Sequence, residues 1–255
     1  MHHLKLNHNV VTFRGQQPKY VSLHIDFQDI QKTGYQVVRG FGMDVDRLER
    51  DLNAISGGKL FFSERLGGVT HQFRVLQHSH NLSEQASCGG YHTDFMFQPH
   101  PPEFIALLCI KPDPKHPFYG RNQIVHYDAF VQKIRSVYGI SELDLLELKV
   151  KYVFPNRPAI EMPILQHYGE RNIFRLHTSL IGAALTQKFL IDTPLRDAID
   201  AVCGDVAQDI VLDQGDLLIV SNHIALHRRS ECTLAFDPDG SSFKSREMAS
   251  IRFDR

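Results

Sequence analysis

The sequence predicts a mainly β fold with flanking helices: a β-sandwich or jelly roll, the double-stranded β-helix, with helices packed outside it. Three observations point there. Short runs rich in Val, Ile, Leu, Phe and Tyr recur from about residue 69 to the C-terminus, separated by turn residues. Helical periodicity is confined to a few segments, and strands and helices do not alternate in the rhythm of βαβ units. The chain is long enough, at 255 residues with 42% hydrophobic content, to bury a large core. No repeat or low-complexity linker divides it, so one domain over 1–255 is expected.

The first clear element is a helix over 44–55, DVDRLERDLNAI, with Val45, Leu48, Leu52 and Ile55 at steps of three and four and Asp44 as N-cap. SGGKL then stops it. Strands are expected at 69–77, 91–97, 104–111, 147–154, 172–178, 210–220, 232–236 and 246–254. DQGD (213–216) and DPDG (237–240) supply the Asp, Pro and Gly that tight reversals need. Helices interrupt the strands at 125–138, at 141–147, where Ser141 and Asp144 form a capping box, and at 194–203, where Pro194 suits a first turn.

Charge and composition narrow the function. A net charge of −1 with scattered Lys and Arg leaves no basic footprint, which argues against nucleic acid and for a small-molecule partner. No apolar run is long enough to span a bilayer, and MHHLKLNHNVVTF lacks an apolar signal core, so a cytoplasmic protein without a membrane partner is expected. Cys88, Cys109, Cys203 and Cys232 form no Cys-x-x-Cys pair and read as reduced, packed thiols. Fifteen histidines make a metal site the first possibility to test.

The stretch GGYHTDFMFQPHPPEF (89–104) sets His92 and Asp94 in an apolar, aromatic run. On a strand, residues i and i+2 share a face, so both side chains would project into the barrel. An imidazole and a carboxylate need one more histidine to complete the facial set that holds non-haem Fe(II). GDLLIVSNHIALHRR offers two, His223 and His227. An isolated His-x-Asp is also compatible with a hydrogen-bonded surface pair. His78-Ser-His80 is a rival metal site of the kind cupins use. Arg175 and His177 of IFRLHT alternate toward one face, where they meet a substrate carboxylate or serve as ordinary strand residues.

Taken in order, YHTDFMFQPHPPEFIALLCIKPDP, GDLLIVSNHIALHRR and the arginine-bearing SREMASIRF resemble the Fe(II)- and 2-oxoglutarate-dependent dioxygenases of the taurine dioxygenase and clavaminate synthase type, from about residue 85 onward. The resemblance implies His92, Asp94 and His227 as iron ligands and catalytic centre; His227 is preferred to His223 for its place before Arg228-Arg229. Ser221, where the family often has Asp, and Arg228, where it usually has Gly, are departures that remove no ligand.

A 2-oxoglutarate cosubstrate would chelate iron at one end and leave its other carboxylate deep in the barrel, where a guanidinium must meet it. The resemblance assigns this to Arg246, with Arg252 as competitor because Ser250 stands where a second arginine is usual. It places an assisting amide at Asn122 or Gln123 and gives Arg229 the ordering of the loop or the cosubstrate region. The implied activity is hydroxylation of an unactivated C–H bond of a small amino-acid-like substrate, with O2 consumed and succinate and CO2 released. The carboxylate at Asp94 points away from halogenation. Two other classes stay open: a cupin-type hydrolase or isomerase that does not use 2-oxoglutarate, and a non-catalytic jelly roll that binds a small ligand. NLSEQASCGG (81–90) reads as a lid over the site.

Overall fold

The structure, a computed structural model, describes residues 22–64, 67–79, 81–154, 157–182 and 194–255. Helix α1 (Phe27–Thr33), capped by the Asp26 side chain, passes through Gly34 into strand β1 (Tyr35–Val38). Gly34 has φ 85°, and a Cβ there would stand 3.0 Å from that of Ala225, so the turn needs glycine. Helix α2 (Val45–Ile55) starts where expected: Asp44 accepts from the Arg47 N–H, and Leu48 and Leu52 are buried. Strands β2 (Thr70–Arg74), β3 (Phe104–Lys111) and β4 (Asn122–His126) follow, then helices α3 (Tyr127–Tyr138) and α4 (Glu142–Glu147), the latter with the Ser141–Asp144 capping box. Two ribbons come next: β5 (Lys149–Phe154) with β6 (Arg157–Pro163), and β7 (Leu165–Tyr168) with β8 (Arg171–Phe174). Helix α5 (Leu195–Val206) leads to β9 (Gln208–Ile210), β10 (Leu217–Ser221) and β11 (Ala225–Arg229). A short hairpin of β12 (Ala235–Phe236) and β13 (Phe243–Lys244) precedes β14 (Glu247–Phe253).

Two antiparallel sheets organise these elements, one of order β1-β10-β3-β14-β2 and one of order β11-β4-β9. Strand alternation sorts their side chains into layers. Leu217, Ile219, Ala106, Leu108, Ala249 and Ile251 pack against Ile30, Leu48 and Leu52 of α1 and α2. The alternate residues Leu218, Val220, Cys109 and Met248 meet Ile124, Ile210 and Ala225 of the three-stranded sheet. That sheet turns Val125 and Leu226 outward onto α3 and α5. The register places Ser250 and Arg252 on the Met248 face, toward the core between the sheets, and Arg246, just before the strand, reaches Asn122 of the facing sheet. β10 is buried along its whole length because both its faces are covered.

Several expectations are corrected. Residues 91–97 do not form a strand: His92 makes isolated bridges to His177 and His227, and the chain turns over 94–97. The N–H groups of His92 and Thr93 donate to the carbonyls of His227 and Leu176, but that of Asp94 donates to the Asn222 side chain, which ends the ladder. Helix α3 starts at 127 rather than 125, because 122–126 pairs with β11 and β9. The run at 172–178 leaves β8 at Phe174 and continues into a 3-10 turn at Thr178–Leu180. DQGD and DPDG turn as predicted, with Gly215 at φ 82° and Gly240 at φ 70°. All four cysteines are free, three buried and Cys88 exposed. No helix among the described residues is long and apolar enough to cross a membrane.

Candidate metal centre

His177, His92 and His227 lie in one row, because the His92 segment bridges to a neighbour on either side. The His177 and His92 rings stack with centroids 4.7 Å apart, and the His92 and His227 rings meet at a tilt with centroids 4.3 Å apart. The turn at Asp94 then swings its carboxylate beneath the last two. Asp94 Oδ1 lies 3.5 Å from His92 Nε2 and 3.7 Å from His227 Nε2. One donor atom from each of His92, Asp94 and His227 lies within 4.8 Å of the others, the one such group among the described residues. At metal–ligand bonds of about 2.1 Å, ligands at right angles sit roughly 3 Å apart, so small side-chain shifts would close these three around an ion. The convergence comes from a turn and not from strand alternation.

The protonation pattern suits metal binding. His92 Nδ1 lies 2.8 Å from the Gly90 carbonyl; with its proton donated there, Nε2 keeps its lone pair for a metal. Burial, and then the neighbouring His92, lower the pKa of His227, which favours a neutral ligand. Burial pushes the Asp94 carboxyl up, but the Arg252 guanidinium, with His227 and His92, outweighs it and holds the group well below the usual carboxylate range. His177 is held neutral by burial and by His92, and its donor atoms fall outside the ligand cluster. His223 is no ligand: its Nε2 bonds the Pro101 carbonyl at 3.0 Å and its Nδ1 meets Arg171 at 3.2 Å. The rival His78 lies on an open cavity of about 450 Å³, and its partner His80 lies outside the described residues.

The arginines divide. Arg246 is buried on the inter-sheet face, where its Nη2 donates to Asn122 Oδ1 at 2.9 Å, and no carboxylate among the described residues lies at ion-pair distance from it. Among the described residues Asn122 Nδ2 is buried without a partner. A fixed cation beside an orphaned amide donor fits a carboxylate. Asn122 opposes Arg229, one same-face backbone step of roughly 7 Å along the sheet from the pair His227 and Ile124. Arg252 is corrected: its Nε and Nη2 lie 2.8 and 2.7 Å from Asp94 Oδ2, at the far end of β14 from Arg246. Gln123 is also corrected. It points to the opposite face, donating to Asp209 Oδ1 at 2.7 Å and accepting from Arg228 Nε at 2.6 Å.

Arg229 donates to the carbonyls of Gln85, Ser87 and Ser230, and Cys232 N–H donates to Ala86, so the 81–90 segment is strapped to the end of β11. Arg175 is corrected as a substrate anchor. It is 1% exposed, and its guanidinium holds the carbonyls of Met96, Gln98 and Pro99, fixing the turn behind Asp94. Sequence reasoning missed Asn222, whose side chain accepts from Asp94 N–H at 2.6 Å and donates to the carbonyls of Asp94 and Pro102 at 2.9 Å each. Its signal was the residue after Ser221 in GDLLIVSN. Phe95 was missed too. At φ 54° it adopts a left-handed conformation that costs a non-glycine residue about 1–2 kcal/mol, and its ring packs 4.6 Å from that of Phe61.

Fold and site together define a mainly β protein with a two-histidine, one-carboxylate centre at its paired sheets. No protein-family model and no curated protein matches the chain by sequence. Solved structures are similar in fold. An asparagine oxygenase in complex with Fe(II), 2S,3S-3-hydroxyasparagine and succinate aligns over 89% of this chain and 77% of its own, with TM-score 0.67 and 16% identity. The non-heme iron oxygenase OrfP, in complex with Fe and alpha-ketoglutaric acid, aligns over the same shares with TM-score 0.60 and 19% identity. The PvcB protein from Pseudomonas aeruginosa aligns over 88% and 77%, with TM-score 0.60 and 15% identity.

Proposed function

We propose that this single-domain chain is a non-haem Fe(II)- and 2-oxoglutarate-dependent dioxygenase that hydroxylates an unactivated C–H bond of a small amino-acid-like substrate in the cytoplasm, releasing succinate and CO2. The observation that carries the reading is the convergence of His92, Asp94 and His227 donor atoms within 4.8 Å. The double-stranded β-helix expected from the sequence agrees with two facing antiparallel sheets and with the fold of the iron oxygenases above. Three protein ligands on one face suit Fe(II) and leave positions for cosubstrate and O2.

Each residue then has a defined task. His92, Asp94 and His227 hold the metal. Arg246 and Asn122 would receive the far carboxylate of 2-oxoglutarate, and the backbone step of roughly 7 Å between Asn122 and the Ile124 position opposite His227 is of the scale of a five-carbon diacid. Arg229 fixes the 85–87 carbonyls beside this locus. Bound iron with its cosubstrate supplies the oxidising power, and the protein orients the reacting C–H bond. His177, uncharged and stacked on His92, is placed to hydrogen-bond a substrate amino or amide group. An open cavity lies beside the 85–87 segment that Arg229 holds, lined by Leu76, Gln77, His78, Ser79, Gln85, Ala86 and Ser87.

Anaerobic addition of Fe(II) and 2-oxoglutarate is expected to give the weak visible charge-transfer band of the chelate in the wild-type protein and none in His92→Ala. Amino acids are then screened for stimulated succinate release. Metal-dependent turnover without succinate would favour a hydrolase or isomerase, and absence of Fe(II) binding would leave only a ligand-binding module.

A further inference from the structure

We infer that Arg252 is a positioning residue for the metal ligand Asp94: its guanidinium occupies one carboxylate oxygen and so presents the other alone to the metal. This extends the metal-site reading above and rests on it.

The two oxygens of Asp94 face different partners. Oδ2 takes both Nε and Nη2 of Arg252, at 2.8 and 2.7 Å. Oδ1 faces the imidazole nitrogens of His92 and His227. A free carboxylate can chelate a metal through both oxygens and so occupy a further coordination position. Here chelation would require breaking a charge-assisted pair that is largely shut off from water, which is strongly unfavourable. Asp94 is therefore held as a one-oxygen ligand, and the position it would otherwise take is kept for small ligands.

Arg252 is itself well placed to act as a fixed reference. It belongs to β14, an interior strand paired with β3 on one side and β2 on the other, and its own register partner is Ile105. Its carbonyl accepts from Phe61 N–H at 2.8 Å, and its guanidinium carbon stands 5.4 Å from the Phe95 ring centre. Among the described residues Nη1 is buried with no hydrogen bond, and the side-chain contacts that orient the group are the Asp94 carboxylate and the Phe95 ring. Phe95 in turn packs against the Phe61 ring at a tilt, which ties the ligand turn to a segment outside the metal-binding motif. A lysine would bring one ammonium in place of a planar fork and could not fix the plane of the carboxylate.

The test is anaerobic titration of the metal-free protein with Co(II), in wild type, Arg252→Met and Arg252→Lys, with circular dichroism confirming the fold. Outer-shell partners of this kind typically set metal affinity by 10–100-fold, so Arg252→Met is expected to bind Co(II) about 10–100-fold more weakly, and Arg252→Lys to recover only part of that loss. Affinity within twofold of wild type in Arg252→Met, or full rescue by lysine, would overturn the inference. Should Arg252→Met not fold, a metal-loaded crystal structure of the wild type decides the question. Oδ1 alone on the metal with Oδ2 on Arg252 supports it, and both oxygens on the metal overturn it. A wild-type protein that binds no Co(II) would instead sink the metal site itself.

Discussion

Replacing Arg246 with Met is expected to move two observables in opposite directions. Arg246 is 5% exposed, and among the described residues its side chain makes one hydrogen bond, to Asn122 Oδ1. Burial lowers its pKa, the mark of a cation held where water cannot solvate it. Exchanging such a charge for an apolar chain of similar length stabilises by roughly 1–4 kcal/mol, less about 1 kcal/mol for the hydrogen bond lost. At roughly 2–4 °C per kcal/mol in a chain of this size, the protein without cosubstrate should melt several degrees higher. Cosubstrate binding should collapse, because the far carboxylate would be buried unpaired at about 3–5 kcal/mol, two to three and a half orders of magnitude in affinity. The assay is thermal melting under nitrogen with Mn(II), with and without 2-oxoglutarate. At a hundredfold excess over its dissociation constant the cosubstrate contributes about 2.7 kcal/mol to the wild type and should shift its Tm by roughly 5–11 °C. An Arg246→Met protein that melts lower without cosubstrate, or that keeps the wild-type shift with it, would refute the assignment.

Asn222→Ala removes three hydrogen bonds around Asp94 and is expected to cost about 2–4 kcal/mol of stability together with metal affinity; unchanged Co(II) binding would count against its role. Arg175→Met should lower stability by at least about 3 kcal/mol by leaving three carbonyls unsatisfied. A raised KM with no loss of Tm in Arg175→Lys would restore it as a substrate anchor. Burial lowers the pKa of His177, His223 and His227, so these groups are neutral in the fold and take up protons on unfolding below their ordinary value near 6.5. Their contribution to stability is present above that value and lost as pH falls toward the folded-state pKa, by at most about 1.4 kcal/mol per group per pH unit. The metal-free Tm should therefore drop from pH 7.5 to 5.5, and less steeply in His223→Gln; a flat profile contradicts this.

The residue types that carry the chemistry are visible in the chain itself. Spacing and periodicity gave the β-rich class, α2 with its Asp44 cap, the Ser141–Asp144 box and the turns at Gly215 and Gly240, because each depends on residues within a few positions of one another. The candidates His92, Asp94 and His227 were legible as ligand chemistry. How they would meet was not: sequence periodicity implied a strand over 91–97, whereas Asn222, 128 positions from Asp94, takes the N–H that a strand would have paired. Arg246 and Arg252 share a strand face and look interchangeable in SREMASIRF, and only the packing of β14 between two neighbours sends one to Asn122 and the other to Asp94. Strand alternation offered Arg175 as a substrate contact and the family resemblance offered Gln123 as a cosubstrate contact, but the partners that engage them come from distant stretches of chain. Local propensity thus determined which elements form and which groups can bind metal, while long-range hydrogen bonds and sheet register decided what each group touches, because those partners are brought together only by tertiary folding.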